Sequence, residues 1–311
     1  MRPVVAVFGG PVSGLSLLLE RILHQLLRYV PAHIGNTLAA TQSLKKVFPN
    51  RKAPENTILV SLDVVALYPS IPIADGIAAV MEKLEEHKDD IDMLGISRKD
   101  IERLLSFVLE NNYFKFDKKV FRQRQGVAMG NHLAPPFAII FMDRLETGML
   151  RTAEKQPEFF DRYVDDCLMA WIHGQEELER FLNHCNEQHP SIKFTWETSA
   201  HGSLVNFMDM SVSITPDGTI DYQLYQKQSD SGVNLNYDSA IPMNVKMAVA
   251  TQQFRRALSL SSGPVLEVKS LGKIENLLKG NGYTDEAIRK ALKRSKAEPK
   301  VKDEHPVEVS V

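Results

Sequence analysis

Apolar residues recur along this chain in two rhythms, and each rhythm predicts an element. Leucines return at helical spacing over 12–29. The same spacing runs over 73–87 and 98–111, where Ile101, Leu104, Leu105 and Val108 mark one helical stripe. The charged run EEHKDD separates these two helices. A short apolar run over 57–62 predicts a strand that ends at Asp63, and alternation over 113–121 around Asp117-Lys118 predicts a hairpin. Further on the pattern predicts a helix over about 133–151, a strand over 163–171 interrupted by acids, and a helix over 176–187. Strands follow at 192–197 and 206–214, and Pro216-Asp217-Gly218 turns the chain into a last one at 219–225. Helices mixed with antiparallel strands in this way predict an α+β fold. No repeat or low-complexity linker interrupts the series, so its subdomains are expected to be contiguous.

Composition sets bounds on this picture. With 311 residues, 43% of them hydrophobic and 24% charged, the chain can bury a substantial core in one large domain or a few coupled subdomains. Cys167 and Cys185 make neither a metal-ligand spacing nor a disulfide framework, which suits a reducing compartment, nuclear or cytoplasmic. The apolar start behind Arg2 loosely imitates a secretory leader, but Pro3, Gly9, Gly10 and Pro11 break it well short of the ~20 residues of a membrane span. No membrane partner and no secretion are expected. The formal net charge is −2, yet between positions 241 and 300 twelve Lys or Arg stand against five Asp or Glu. A basic flank beside an acidic middle suits a protein that holds phosphates in one place and metals in another, although a solvated basic helix face accounts for the flank alone equally well.

The candidate chemistry lies in two acidic positions far apart in sequence. Asp63 closes the apolar run in SLDVVALYPSI, and Asp165-Asp166 interrupt another in RYVDDCLMAW. Aspartates at strand ends or in a hairpin between apolar strands are costly to dehydrate and call for a partner or a metal. An Asp-Asp pair in a loop is common and carries little weight alone. On neighbouring antiparallel strands, however, the three would form a cluster of the hard oxygen ligands that Mg²⁺ prefers. Two ions held there can activate an attacking 3′-hydroxyl and stabilise a leaving pyrophosphate. The segment FGGPVSG is glycine-rich but lacks the Gly-Lys-Ser/Thr of a phosphate loop.

These residues also carry a family resemblance. DVVALYPSIP resembles the first polymerase motif of reverse transcriptases, GVAMGNHLAPPFAIIFMDRLE the second and RYVDD the third, in the family's order and at suitable separations. The Met-Gly form of the second motif, with HPSIKFTWE, NFMDMSV and KMAVATQQFRRALSLSS, is similar to Penelope-like retroelement enzymes more than to retroviral or group II intron ones. RPVVAVFGGPVSGLSLLLERIL resembles the segment that leads into the palm of those enzymes, so the resemblance runs from Arg2 to about Ala291.

The resemblance implies a polymerase palm, an antiparallel sheet backed by helices, with partial fingers and a helical thumb. It divides the chain into a lead-in at 1–56, a palm at 57–226 and a thumb-like region with a basic tail at 227–311. It implies an RNA-directed DNA polymerase that extends a DNA primer on an RNA template, consuming deoxynucleoside triphosphates with two Mg²⁺ ions, for which Mn²⁺ can substitute. Asp63 and Asp165 would bridge the metals, with Asp166 a supporting acid near the primer terminus. Tyr68 would lie beneath the incoming sugar and exclude a 2′-hydroxyl; Gly126 and Gly130 would let backbone approach the template and nucleotide. Met129 stands where many reverse transcriptases carry glutamine, and Arg2 would remain from the triphosphate-binding region. Lys193 resembles a lysine that protonates or neutralises the leaving pyrophosphate. Phe207, Met208 and Asp209 resemble a primer grip, and Lys246, Arg255 and Arg256 resemble thumb residues that track phosphates.

Departures from the family shape further expectations. The upstream fingers strand is not matched, which predicts incomplete fingers and reduced turnover, and nothing resembles the GIY-YIG endonuclease of many Penelope-like proteins. Two rival readings are a non-catalytic nucleic-acid-binding remnant of a retroelement and an RNA-directed RNA polymerase. Intact Asp63, Asp165 and Asp166 weigh against the first, and Tyr68 at the sugar position weighs against the second.

Overall fold

A computed structural model of the protein describes residues 10–48, 52–199, 203–227, 229 and 231–297. The chain opens with α1 (Ser13–His24), a 3₁₀ turn (Gln25–Tyr29) and α2 (Thr37–Leu44). Strand β1 (Ile58–Val64) leads through a one-turn helix, α3 (Leu67–Ser70), into α4 (Ile73–Glu86) and α5 (Arg98–Glu110). A hairpin of β2 (Tyr113–Phe116) and β3 (Lys119–Arg122) precedes α6 (Ala134–Thr152). Then come β4 (Phe159–Tyr163), β5 (Asp166–Trp171), α7 (Gln175–Glu187) and β6 (Phe194–Thr198). Strands β7 (Val205–Phe207), β8 (Met210–Ile214) and β9 (Ile220–Leu224) are followed by α8 (Met243–Ser259), α9 (Pro264–Gly280) and α10 (Asp285–Lys296). The expected α+β class holds, with most elements within a few residues of the hydrophobic pattern.

The central sheet has the order β4-β5-β1-β6, and β1 pairs antiparallel with both β5 and β6. Period-two alternation sorts its side chains. Val60, Leu62 and Val64 of β1 and Cys167, Met169 and Trp171 of β5 join one core cluster with the buried faces of α1, α4, α5, α6 and α7. The intervening residues, including Asp63 and Asp166, take the other face. One side of the sheet is thus sealed by helices, and the other presents the acids.

Helix α6 is the central support. Pro135 and Pro136 occupy its first turn, where a missing N–H costs nothing, and buried residues surround most of its circumference. Its polar residues are paired inside: Asp143 meets Lys83 of α4 at 2.7 Å, and Glu146 meets Arg162 of β4. Helix α4 comes so close that a Cβ on Gly76 would lie 2.3 Å from the Phe137 ring.

Two differences from the sequence expectation have clear causes. The strand predicted over 163–171 is a hairpin, because β4 adds an arm whose alternation is hidden by Asp161 and Arg162, both buried. The strand predicted over 206–214 is also a hairpin, broken at Met208-Asp209, where Met208 takes φ +54°. The hairpin about Asp117-Lys118 has positive φ at both central residues, as a two-residue turn between right-twisted strands requires.

The fold divides into two compact units. One comprises the described residues up to Met208 together with Ser213–Ile220; the other comprises Asp209–Val212 and the described residues from Asp221 onward. In the second unit α8 packs against both α9 and α10. Strand β9 is tied to these helices by the Leu224 N–H donating to Ser270 Oγ at 3.3 Å and by Lys273 donating to the Leu224 carbonyl at 2.7 Å. No helix among the described residues is long and apolar enough to cross a membrane.

Both cysteines are buried, and burial raises their thiol pKa values, that of Cys185 to about 12 and that of Cys167 well above its usual value. At pH 8 both are therefore protonated and shielded, while the thiolate is the reactive form. A thiol-reactive dye at pH 8 is expected to label neither in the native protein and both in urea; fast native labelling would contradict the packing of β5 against α6 and α7.

Candidate active site

The acids are brought together by strand register. Asp63 is the direct partner of Asp166 across the β1–β5 ladder, so the two side chains leave the same face of the sheet. Asp165 lies one residue back, in the two-residue turn between β4 and β5, whose flanking residues Tyr163 and Asp166 are paired. That turn is clipped to β1, because the Val64 N–H donates to the Asp165 carbonyl at 3.0 Å. The other residue of the turn, Val164, has φ +58°, a conformation that a β-branched residue adopts only under constraint.

The second element is the corner after β1. Ala66, at φ +49°, swings the chain into α3 and presents the half-buried Tyr68. Its phenol is pushed above the usual tyrosine range by burial, then by the charge of Asp165, then by Tyr163. The ring therefore shares the environment of Asp165. The Tyr68 carbonyl accepts from the Val127 N–H at 2.8 Å, which docks the Gly126–Gly130 segment on the same corner.

Gly126 makes that docking feasible. It has φ +70°, and a Cβ there would stand 2.5 Å from the Pro69 backbone. Met129 and Gly130 are half-buried in the turn that follows. Asn131 then locks the segment down: its side-chain oxygen accepts from the Leu133 N–H at 3.0 Å and from the Ser16 hydroxyl of α1, deep in the core.

The third element is the β7–β8 turn. Strand β7 lies against β1 and β5, and Phe207 anchors its end with 1% of its surface exposed. Met208, strained at φ +54°, donates its backbone N–H to the Asp166 carboxylate at 2.5 Å. Asp166 is thereby held by main chain. In the second unit Asp209 pairs with Arg256 of α8 at 2.6 Å. Three of the six non-glycine residues with positive φ among those described, Ala66, Val164 and Met208, thus flank the acids. Strain concentrated in this way marks a site that the surrounding fold over-determines.

Of the remaining candidates, Lys193 adjoins the corner after β1 through its backbone. Lys193 is exposed, and its ammonium donates to the carbonyls of Asn186 and His189 at the end of α7; its own carbonyl accepts from the Val65 N–H at 2.8 Å. Lys246, expected to track phosphates, is instead 5% exposed, and its ammonium bonds the carbonyls of Tyr237 and Ser239. It fastens the segment before α8, with two of its three donors committed there. Arg255 is exposed on α8. Arg2 lies outside the described residues.

The residues that the sequence reading missed are Arg162 and Glu146, a buried ion pair between the acidic hairpin and α6. Breaking such a pair by removing one partner typically costs about 3–5 kcal/mol, because a buried charge is left uncompensated. The signal was present in the sequence: charges of both signs inside each of two apolar runs, FFDRYV and FMDRLETGML.

As a donor set the site offers carboxylate oxygens, with the Cys167 thiol turned to the helix side of the sheet. That chemistry suits Mg²⁺, which is commonly bound by one or two carboxylates together with substrate phosphates. Among the described residues no three His, Cys, Asp or Glu side chains are gathered into a complete metal-holding group. The three-acid cluster expected from the sequence is therefore not assembled as such; what strand register does give is the cross-strand pair Asp63 and Asp166 with Asp165 next to it in the turn.

An antiparallel sheet with helices on one face and carboxylates at the centre of the other is the palm-type fold of template-directed polymerases, and solved structures share it. Telomerase from Candida albicans, in complex with a fragment of telomeric RNA, superposes with a TM-score of 0.57 at 14% identity, over 93% of this chain and 48% of that one. Apo telomerase from Candida tropicalis, truncated of its C-terminal domain, gives 0.54 at 14%, over 70% and 46%. The RNA-dependent RNA polymerase of a human picobirnavirus gives 0.54 at 11%, over 91% and 54%. The chain spans about half the length of these structures, and identities this low define the fold alone. Residues 234–293 match the family model of the animal helix-turn-helix domain, a stretch that contains α8, α9 and most of α10. No curated protein matches the sequence.

Because Gly126 is both left-handed and in contact with Pro69, Gly126→Ala is expected to lower stability by about 2–4 kcal/mol from backbone strain and overpacking. A urea titration measures this; a loss below about 0.5 kcal/mol would show that the Tyr68 corner and the second motif are not docked as described.

Proposed function

We propose that this chain is the catalytic core of a reverse transcriptase of the Penelope-like kind, which extends a DNA primer on an RNA template. The observation that carries the reading is the pairing of Asp63 with Asp166, beside Asp165, on the face of a palm sheet turned away from the helices. The family likeness of the three motifs around these residues supports the reverse transcriptase assignment and the Penelope-like subtype. Similarity in fold to telomerase and to viral RNA polymerases supports template-directed nucleotidyl transfer in general.

In this reading Asp63 and Asp165 would hold two Mg²⁺ ions, with Asp166 kept in place by the Met208 N–H. Bound there, the ions would supply activation of the primer 3′-hydroxyl and neutralisation of charge on the leaving pyrophosphate. The protein's own part is positioning. The Phe207-Met208 turn, anchored in the core, steadies the primer end, and ordering of this kind accounts for several kcal/mol of a barrier. The Tyr68 ring, beside Asp165, forms the floor under the sugar, where bulk excludes a 2′-hydroxyl. In the second unit the exposed cations Arg255, Arg289, Lys290, Lys293 and Arg294 face solvent and suit contact with phosphates of the template–primer duplex. A nuclear or cytoplasmic setting follows from such a substrate.

Two experiments bear on this reading. With an RNA template and a DNA primer, Asp165→Asn is expected to lower Mg²⁺-dependent extension at least 10³-fold, a loss of about 4 kcal/mol in the barrier, while duplex binding stays within about twofold. Extension equal to that of the wild-type protein would remove Asp165 from the mechanism. Tyr68→Ala is expected to raise ribonucleotide incorporation relative to deoxynucleotide by at least tenfold, and a wild-type protein that prefers ribonucleotides would favour an RNA polymerase instead.

A further inference from the structure

Arg162 is the most thoroughly engaged side chain near the acids. Its surface is fully buried, and each guanidinium nitrogen has a different acceptor: Nε the Glu146 carboxylate, Nη1 the Val164 carbonyl at 3.1 Å, and Nη2 the Ile139 carbonyl at 3.1 Å. Its backbone is held as well. The Arg162 N–H donates to the Ala32 carbonyl at 2.6 Å, and its carbonyl accepts from the Ile34 N–H at 2.8 Å. Glu146 projects from α6, itself buried on most sides, so the guanidinium is fixed at both ends.

Stability does not explain the pair. Two charges lose their hydration on burial, and replacing such a pair by well-packed apolar residues is often neutral or stabilising. What an apolar pair could not do is hold the Val164 carbonyl. That carbonyl belongs to the peptide joining Val164 to Asp165, and its direction sets the backbone on which the Asp165 side chain is mounted. The next carbonyl, that of Asp165, is held by the Val64 N–H at 3.0 Å. Both peptide groups around Asp165 are therefore clamped, one by β1 and one by Arg162. The clamp also opposes the strain of Val164, a β-branched residue at φ +58°.

We propose that Arg162, oriented by Glu146, is a positioning residue of the metal site, fixing the Val164–Asp165 peptide so that the Asp165 carboxylate is presented to the cation. The proposal rests on the polymerase reading for the use of that cation, but the positioning itself is measured by metal binding alone. Only arginine fits this role: a lysine keeps the charge but cannot donate in three directions from one plane.

The test uses the full chain and Mn²⁺ as a paramagnetic probe, with free Mn²⁺ counted by electron paramagnetic resonance, alongside melting curves and primer extension. The double variant Arg162→Met with Glu146→Leu is expected to melt within a few degrees of the wild-type protein, to need at least tenfold more Mn²⁺ for half-saturation, and to extend at least tenfold more slowly. Arg162→Lys is expected to move metal affinity and extension in the same direction. Adding Val164→Gly to either should recover several-fold of the lost affinity, since glycine takes the left-handed conformation unaided; a pair that merely filled space would show no such rescue. Unchanged Mn²⁺ affinity in a folded variant overturns the proposal, as does loss of fold in both variants, or a wild-type protein that binds no Mn²⁺. If the wild-type protein fails to extend but the variants still weaken Mn²⁺ binding, the polymerase reading fails and the positioning role stands.

Discussion

Two carboxylates directly opposite one another on adjacent strands repel, and the register of β1 against β5 nevertheless sets Asp63 against Asp166. The register is not free to relax. Sliding β1 by one residue would turn Val60, Leu62 and Val64 out of the helix-packed core and drive Ser61 and Asp63 into it. Burial of the apolar residues on one face thus enforces proximity of the acids on the other. The remaining parts of the site follow from that constraint: the turn that adds Asp165, the corner that adds Tyr68, and the β7–β8 turn that satisfies Asp166.

Holding charged groups so close calls for rigid supports, and these are mostly main chain. The Val64 N–H holds the Asp165 carbonyl, and the Met208 N–H holds the Asp166 carboxylate. Backbone donors have few internal rotations to lose and cannot swing away, so they fix the Asp165 backbone and the Asp166 carboxylate. Left-handed Ala66, Val164 and Met208 are the local cost of aiming the chain at one point, offset by the core beneath. Arg162 ties this framework to α6, the most buried helix of the fold.

Much of this was legible in the sequence, for reasons specific to each residue. Asp63 stood out because it ends a run of strand-forming apolar residues, and Asp165-Asp166 because they interrupt another; the pattern carried both the strands and the acids. Tyr68 and Gly126 came from family resemblance, and their physical basis emerged only with the Pro69 contact and the proximity of Asp165. Strand β4 was hidden because Asp161 and Arg162 look like surface residues, while their partners, Ser43 and Glu146, are distant in sequence. Lys246 erred in the opposite direction. Its expected role came from the resemblance to thumb residues, and its burial depends on the carbonyls of Tyr237 and Ser239, which no side-chain pattern encodes.

In the proposed reading Asp63, set by strand register, and Asp165, set by the adjoining turn, act as one metal site, and a double-mutant cycle on cation affinity tests it most directly. Mn²⁺ binding would be measured for the wild-type protein, Asp63→Asn, Asp165→Asn and the double variant. A shared site predicts that either single change removes tight binding at least tenfold and that the double change adds little more. Losses that simply multiply, with each single variant keeping an independent ion, would contradict the account.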